Sequence, residues 1–168
     1  MSASPFTIRP ARPDDVATLC LLKWHLALAE GSTHAVRAGE ADWQRDMFGP
    51  TPRFSAVVAE IDGTVIGMAT LAPRYSPGWV GPLLVLNDLF VLPDHRGRGI
   101  AEALMQCAAA EAMMQGAPFL ELTVREDSPA RRFYRKIGFS RVRGAEIYVL
   151  AGDALVELAG AAKSAKSA

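Results

Sequence analysis

The segment richest in chemistry runs from Leu84 to Met105, LVLNDLFVLPDHRGRGIAEALM. An apolar run suited to a strand ends at Pro93, turns through a basic, glycine-rich stretch and feeds a helix with apolar periodicity. Within it Arg96, Gly97, Arg98, Gly99, Ile100 and Ala101 read R-x-x-G-x-A. That order sets small residues and backbone N–H groups at a helix start, beside two arginines. A helix start carries N–H groups with no intrahelical acceptor and the positive end of the dipole, which suits phosphate. Small residues let a ligand approach the backbone closely. The expected ligand is a pyrophosphate-bearing cofactor. A Walker loop needs Lys then Ser or Thr after its second glycine, and here Ile100 and Ala101 follow Gly99. A dinucleotide fingerprint needs a third glycine where Glu102 stands. An ordinary tight turn would use the same glycines, so this segment alone leaves that alternative open.

The elements that must position the loop follow from pattern. Phe6–Arg9 reads as a first strand, and Pro13, Asp14 and Asp15 open a helix running to Glu30, with Val16, Leu19, Leu22 and Leu26 as its buried stripe. A polar loop covers Gly31–Gly39, and a second helix spans Glu40–Phe48, stopped by Gly49 and Pro50. Two β-rich runs, Phe54–Ile61 and Thr64–Leu71, flank Asp62-Gly63 and predict a hairpin. Pro73–Pro82 reads as a loop carrying Tyr75 and Trp79, and Leu83–Val91 as a strand covered on both faces. A helix over Gly99–Gln115 and a strand over Phe119–Val124 follow. Ser128 and Pro129 then start a short helix that ends at Gly138, and strands are expected at Phe139–Val142 and Ile147–Leu150. The tail from Ala151 begins as a helix and passes into an alanine, lysine and serine sequence expected to be disordered. The order is β-α-α-β-β-β-α-β-α-β-β. One central strand–helix–strand unit needs parallel pairing and the hairpin is antiparallel, so an α/β fold with a mixed sheet flanked by helices is expected.

Composition bounds the function. At 168 residues, half of them hydrophobic and 21% charged, the chain has the profile of one globular domain. Formal net charge is zero, with no basic stripe, so neither nucleic acid nor an anionic membrane is an expected partner. No apolar run is long enough to span a bilayer, and no signal-peptide pattern opens the chain. Cys20 and Cys107 sit in apolar helical patterns and read as buried free thiols of a cytoplasmic protein. Cys107 has no histidine at a spacing that would make it a nucleophile, and His25, His34 and His95 show no metal-ligand spacing, so no metal is expected.

A second motif lies downstream: Asp127, Ser128, Pro129 and Ala130, then Phe133-Tyr134 and Gly138-Phe139. Together with R-x-x-G-x-A it resembles the pattern of the GCN5-related N-acetyltransferase superfamily, in which the downstream motif is N-x-x-A-x-x-F-Y-x-x-x-G-F. The resemblance covers residues 1–150 as one N-acetyltransferase domain and leaves the tail, 151–168, outside it. It implies acetyl-CoA as co-substrate, with its pyrophosphate on Arg96–Ala101. It implies that backbone groups of Leu89, Phe90 and Val91 meet the pantetheine arm, and that Asp127 and Ala130 lie on the cofactor side. Asp127 departs from the usual asparagine and adds a negative charge. Tyr134 takes the place of a general acid for the departing thiolate; core packing beside Phe133 is its alternative.

A narrower resemblance is to the diamine acetyltransferases, a group that includes spermidine/spermine and thialysine N-acetyltransferases. It rests on Ile8–Ala11, the helix ending at Glu30, Asp46–Gly49 and Leu86–Val91. It implies that Glu30, Asp88 and Glu146 face a small-molecule amine acceptor and that the protein is a homodimer. Asn87 stands where the group commonly has an acid, which argues for an amine shorter or less charged than spermine. The implied reaction is direct attack of a primary amine, of a diamine or a lysine-like amino acid, on the thioester. Another acceptor (an amino acid, an aminoglycoside or a protein N-terminus) and a non-catalytic acyl-CoA-binding module remain as alternatives.

Overall fold

The computed structural model describes residues 6–78, 81–144 and 150–165, the last six of these by backbone alone. The chain forms two compact units, Met1–Ser128 and Pro129–Ala168.

The first unit is built on a five-stranded sheet of order β1-β2-β3-β4-β5. The strands are β1 (Thr7–Pro10), β2 (Ser55–Ile61), β3 (Thr64–Ser76), β4 (Gly81–Val91) and β5 (Leu120–Leu122). The first three pairings are antiparallel, and β4 with β5 is parallel, giving the expected mixed sheet. Asp62 and Gly63 both hold positive φ, 48° and 79°, as the two-residue turn between β2 and β3 requires.

Three helices flank the sheet: α1 (Val16–Glu30), α2 (Glu40–Phe48) and α3 (Ile100–Met114). Val16, Leu19 and Leu22 of α1 and Trp43 and Met47 of α2 share one core with Val58, Met68 and Phe90. Leu26 is only partly buried against it. A single-turn 3-10 helix at Pro13–Asp15 precedes α1. There Asp15 is buried and held by Arg9, whose Nη1 and Nη2 lie 2.6 and 2.9 Å from its two oxygens. α3 packs against β2, β3 and β4, with Ile100, Leu104, Met105 and Ala108 buried.

The loop expected over Pro73–Pro82 is instead mostly strand. β3 runs on to Ser76 and β4 starts at Gly81, with Pro73 opposite Leu84 and Pro82 opposite Tyr75. Pairing of β3 with β2 ends at Leu71, and pairing of β4 with β5 begins at Leu84. Each proline therefore lies where its strand has one neighbour, and its missing N–H breaks no second ladder. Trp79 lies outside the described residues. Both thiols are partly rather than completely buried, and burial pushes each above the ordinary thiol range.

The second unit holds α4 (Ala130–Lys136) and α5 (Gly152–Ala165). α4 begins one residue later than expected, with Pro129 at the cap position. Residues 139–142, expected as a strand, are not one. The expected strand Ile147–Leu150 lies, but for Leu150, outside the described residues. α5 carries the helix through most of the tail that the sequence assigns to disorder.

Candidate active site

The site is assembled at the C-terminal half of β4. Thr70 pairs with Asp88, but the next β3 residue, Leu71, pairs with Leu86, so Asn87 is an extra residue in β4. This is a β-bulge, and its extra residue drops out of the ladder. By alternation along β3, Thr70 and Leu71 point to opposite faces, and the bulge lets Leu86 and Asp88 follow them although they are two apart.

The bulge coincides with a parting of strands. Pairing between β4 and β5 stops at Leu86 and Leu122. Beyond it β4 continues to Val91 with β3 as its neighbour. The Leu92 N–H bonds Ile66 O on the β3 side at 2.9 Å. Alternate residues of an antiparallel strand direct their backbone groups to opposite edges. Val91 and Leu89 therefore turn theirs to the edge that β5 has left. The Val91 carbonyl there accepts a 2.9 Å bond from Arg96 Nε. Phe90 points its buried ring into the α1–α2 core, where it stacks against His25 at 6.4 Å between centroids.

The glycine-rich loop follows directly. Gly97 and Gly99 both hold positive φ, 74° and 80°, which glycine adopts without the strain of a Cβ. The space beside each is open, with no heavy atom within 4 Å of where a Cβ would sit. Gly99 is the N-cap of α3, and the first helical bond runs from Ala103 N to Gly99 O at 3.0 Å. The N–H groups of Gly99, Ile100 and Ala101 therefore have no carbonyl within the helix. Arg96 and Arg98 divide the work. Arg96 folds back, its guanidinium 5.4 Å from the Phe90 ring centroid and its Nε on β4, so it fixes the loop to the strand. Arg98 Nη1 lies 3.2 Å from His95 Nδ1 at the loop's rim.

The acids fall into two groups. Asp88 is buried on β4, its Oδ2 accepting from Thr70 Oγ1 at 2.8 Å and its Oδ1 from Lys23 Nζ of α1 at 2.5 Å. Asn87 beside it is exposed. Glu30 is exposed at the end of α1, where Gly31 leaves the helix in the left-handed conformation. Asp127 is exposed and clamped by Arg125, with Nε–Oδ1 3.0 Å and Nη2–Oδ2 2.9 Å. That pairing holds the Asp127 carboxyl below the usual range and raises Arg125, with a smaller contribution to Arg125 from Glu30. The charge at Asp127 is thus neutralised by its own loop. Glu146 lies outside the described residues.

Sequence reasoning missed Lys23. A signal was present: an acid inside an apolar strand needs a partner, and Lys23 lies one helical turn beyond Leu19 on the flank that faces the sheet. In the second unit Ala130 opens α4, and Tyr134 packs edge-on between Phe133 and Phe139, with ring centroids at 5.4 and 5.7 Å.

The chain is similar to known proteins in sequence and in fold. The acetyltransferase (GNAT) family model matches residues 20–139. The chain is 30% identical to thialysine N-epsilon-acetyltransferase of Mus musculus over 165 residues, covering 91% of this chain and 96% of that protein. It is 29% identical to aminoalkylphosphonate N-acetyltransferase of Salmonella typhimurium, covering 77% of this chain and 91% of that one. An aminoglycoside N-acetyltransferase solved in complex with CoA superposes with a TM-score of 0.71 at 19% identity, covering 89% of this chain and 97% of its own, a likeness of fold. With a family model over most of its length and a relative matched nearly end to end, this chain belongs to the GNAT family of acetyltransferases.

Proposed function

We propose that the protein moves an acetyl group from acetyl-CoA to the primary amine of a small molecule, most readily a lysine-like amino acid. The observation that carries this is the parting of β4 from β5 at the bulge, directly before the glycine loop. An open strand edge accepts an amide-bearing chain as an added strand. The pantetheine arm has the right chemistry for the groups of Leu89 and Val91. The pyrophosphate belongs over Gly97 and Gly99, on the N–H groups that open α3, with Arg98 supplying charge and Arg96 holding the loop.

The reaction needs no covalent enzyme intermediate. A neutral amine attacks the thioester carbon, a C–N bond forms, the C–S bond breaks, the amine sheds a proton and the thiolate gains one. Backbone N–H groups at the bulged strand are the donors available to the developing oxyanion. Tyr134 is assigned the proton for the thiolate, and Ala130 and Asp127 are assigned to the cofactor side. Glu30, Asn87, Asp88 and Glu146 are assigned to the acceptor side. A lysine-like amino acid suits this site better than a diamine because Asp88 already holds one ammonium, that of Lys23. The name of the mouse relative, thialysine N-epsilon-acetyltransferase, supports the same acceptor class. A homodimer in the cytoplasm completes the reading. Among the described residues no helix is long and apolar enough to cross a membrane.

Thiol release from acetyl-CoA with a panel of amines tests it. Lysine and its thioether analogue should turn over faster than diamines, aminoglycosides or peptides. Preference for peptides or aminoglycosides would move the acceptor class, and no release with any amine would leave an acyl-CoA-binding module.

A further inference from the structure

We propose that Lys23 is a specificity-determining residue: its ammonium occupies Asp88 as a built-in cation and turns the acceptor site away from doubly charged amines. This rests on the reading that the acceptor meets β4 beside the bulge.

The carboxylate of Asp88 is aimed by the fold. Thr70, its ladder partner on β3, donates to one oxygen, and Lys23, reaching across from α1, donates to the other. The Asp88 side chain is 9% exposed while that of Lys23 is 32% exposed, so the acid is sheltered and the amine faces the approach to it. A buried carboxylate without a counter-charge is costly, and one ammonium satisfies it. The pair sums to zero charge. A second ammonium arriving on a substrate would have to displace Lys23, exchanging one ion pair for an equivalent one with no net gain. Lysine is suited to such a role because its ammonium is a point charge on a flexible stem, without the fixed fork of arginine. Opening the site to dications therefore requires only loss of the Lys23 charge. A lysine-like acceptor has a zwitterionic head of zero net charge and asks for no second acid.

The test compares 1,4-diaminobutane with n-butylamine, by calorimetric binding and by kcat/KM, in the wild type, Lys23→Met, Lys23→Arg and the double variant Lys23→Met with Asp88→Asn. Lys23→Met keeps the stem and removes the charge; Lys23→Gln replaces it if Lys23→Met fails to fold. The diamine-to-monoamine affinity ratio should rise about tenfold or more in Lys23→Met, the size of one charge-assisted hydrogen bond. It should stay near the wild-type value in Lys23→Arg and return to it in the double variant. An unchanged ratio in folded Lys23→Met and Lys23→Gln overturns the proposal, and so does a gain that survives loss of the Asp88 charge. Calorimetry separates this from failure of the catalytic reading: a shifted binding ratio without acetyl transfer keeps Lys23 as the selector and removes only the turnover.

Discussion

The two halves of β4 share apolar residues and differ in what they pair with. Gly81–Leu86 pairs with β3 along its length and with β5 at Leu84–Leu86, and buries Leu83, Leu84 and Leu86. Asn87–Val91 begins with a bulge, has β3 as its one neighbour among the described strands and leads into the glycine loop. A strand paired on both edges has its backbone groups satisfied and offers a ligand nothing. A strand with one edge open gives up part of that pairing and gains a template for an incoming chain. The proposed site lies where pairing ends, beside the half that remains paired.

Four tests break or sharpen this contrast. The largest effect is expected at Tyr134, where Tyr134→Phe should lower kcat roughly 100- to 10,000-fold, the range of general acid catalysis. Acetyl-CoA affinity should change little, because the hydroxyl is needed only as thiolate develops. Unchanged turnover under conditions where chemistry limits would make the ring a packing residue between Phe133 and Phe139.

Leu84→Ala, in the paired half, should cost about 3 kcal/mol in urea unfolding, as for other leucines buried in a core. Asn87→Ala, three residues on in the open half, should stay within about 1 kcal/mol of wild type because its side chain is exposed. Asn87→Ala should instead alter KM for the amine. Equal stability losses at the two positions would remove the distinction between the halves.

Gly99→Glu sets bulk and negative charge at the glycine loop proposed to hold the pyrophosphate and forces a side chain into φ 80°. The left-handed strain alone is about 1–2 kcal/mol, and CoA binding by calorimetry should weaken at least about tenfold, more than in Gly99→Ala, which carries the strain without the charge. Near wild-type affinity in a folded Gly99→Glu would move the pyrophosphate elsewhere.

The smallest effect on ligand binding is expected far from the open edge, at Asp15. The Arg9 guanidinium holds its carboxyl below the usual range, against the opposing effect of burial. A depressed carboxyl contributes its full stability above the ordinary value of 3.8 and loses it as pH falls through the folded value. Asp15→Asn should cost about 2 kcal/mol at pH 7, between exposed and buried pairs. The gap from wild type should narrow below about pH 4 in thermal unfolding, and CoA affinity should hold. A gap independent of pH would show that packing, not charge, sets the contribution.

Much of this was legible in the chain because its signals are local. Asp62-Gly63 encodes a turn, Pro13 opens the 3-10 turn that leads into α1, Gly31 ends α1, and Gly97 and Gly99 mark positions where only glycine takes positive φ without strain. Such features depend on a few adjacent residues, so their chemistry can be read without a fold. The family also followed from two local motifs. What the sequence left undecided depends on partners distant in the chain. Pro73 and Pro82 read as loop until β2 is seen to end at Leu71 and β5 to begin pairing at Leu84. Residues 139–142 carry β propensity and form no strand. The bulge at Asn87 exists only in the register between β3 and β4. Lys23 and Asp88, 65 residues apart, meet because α1 packs across the sheet that presents the acid. Residue type and spacing set what each group can do. Strand register and helix packing, which are non-local, decide which groups meet and which edge stays open.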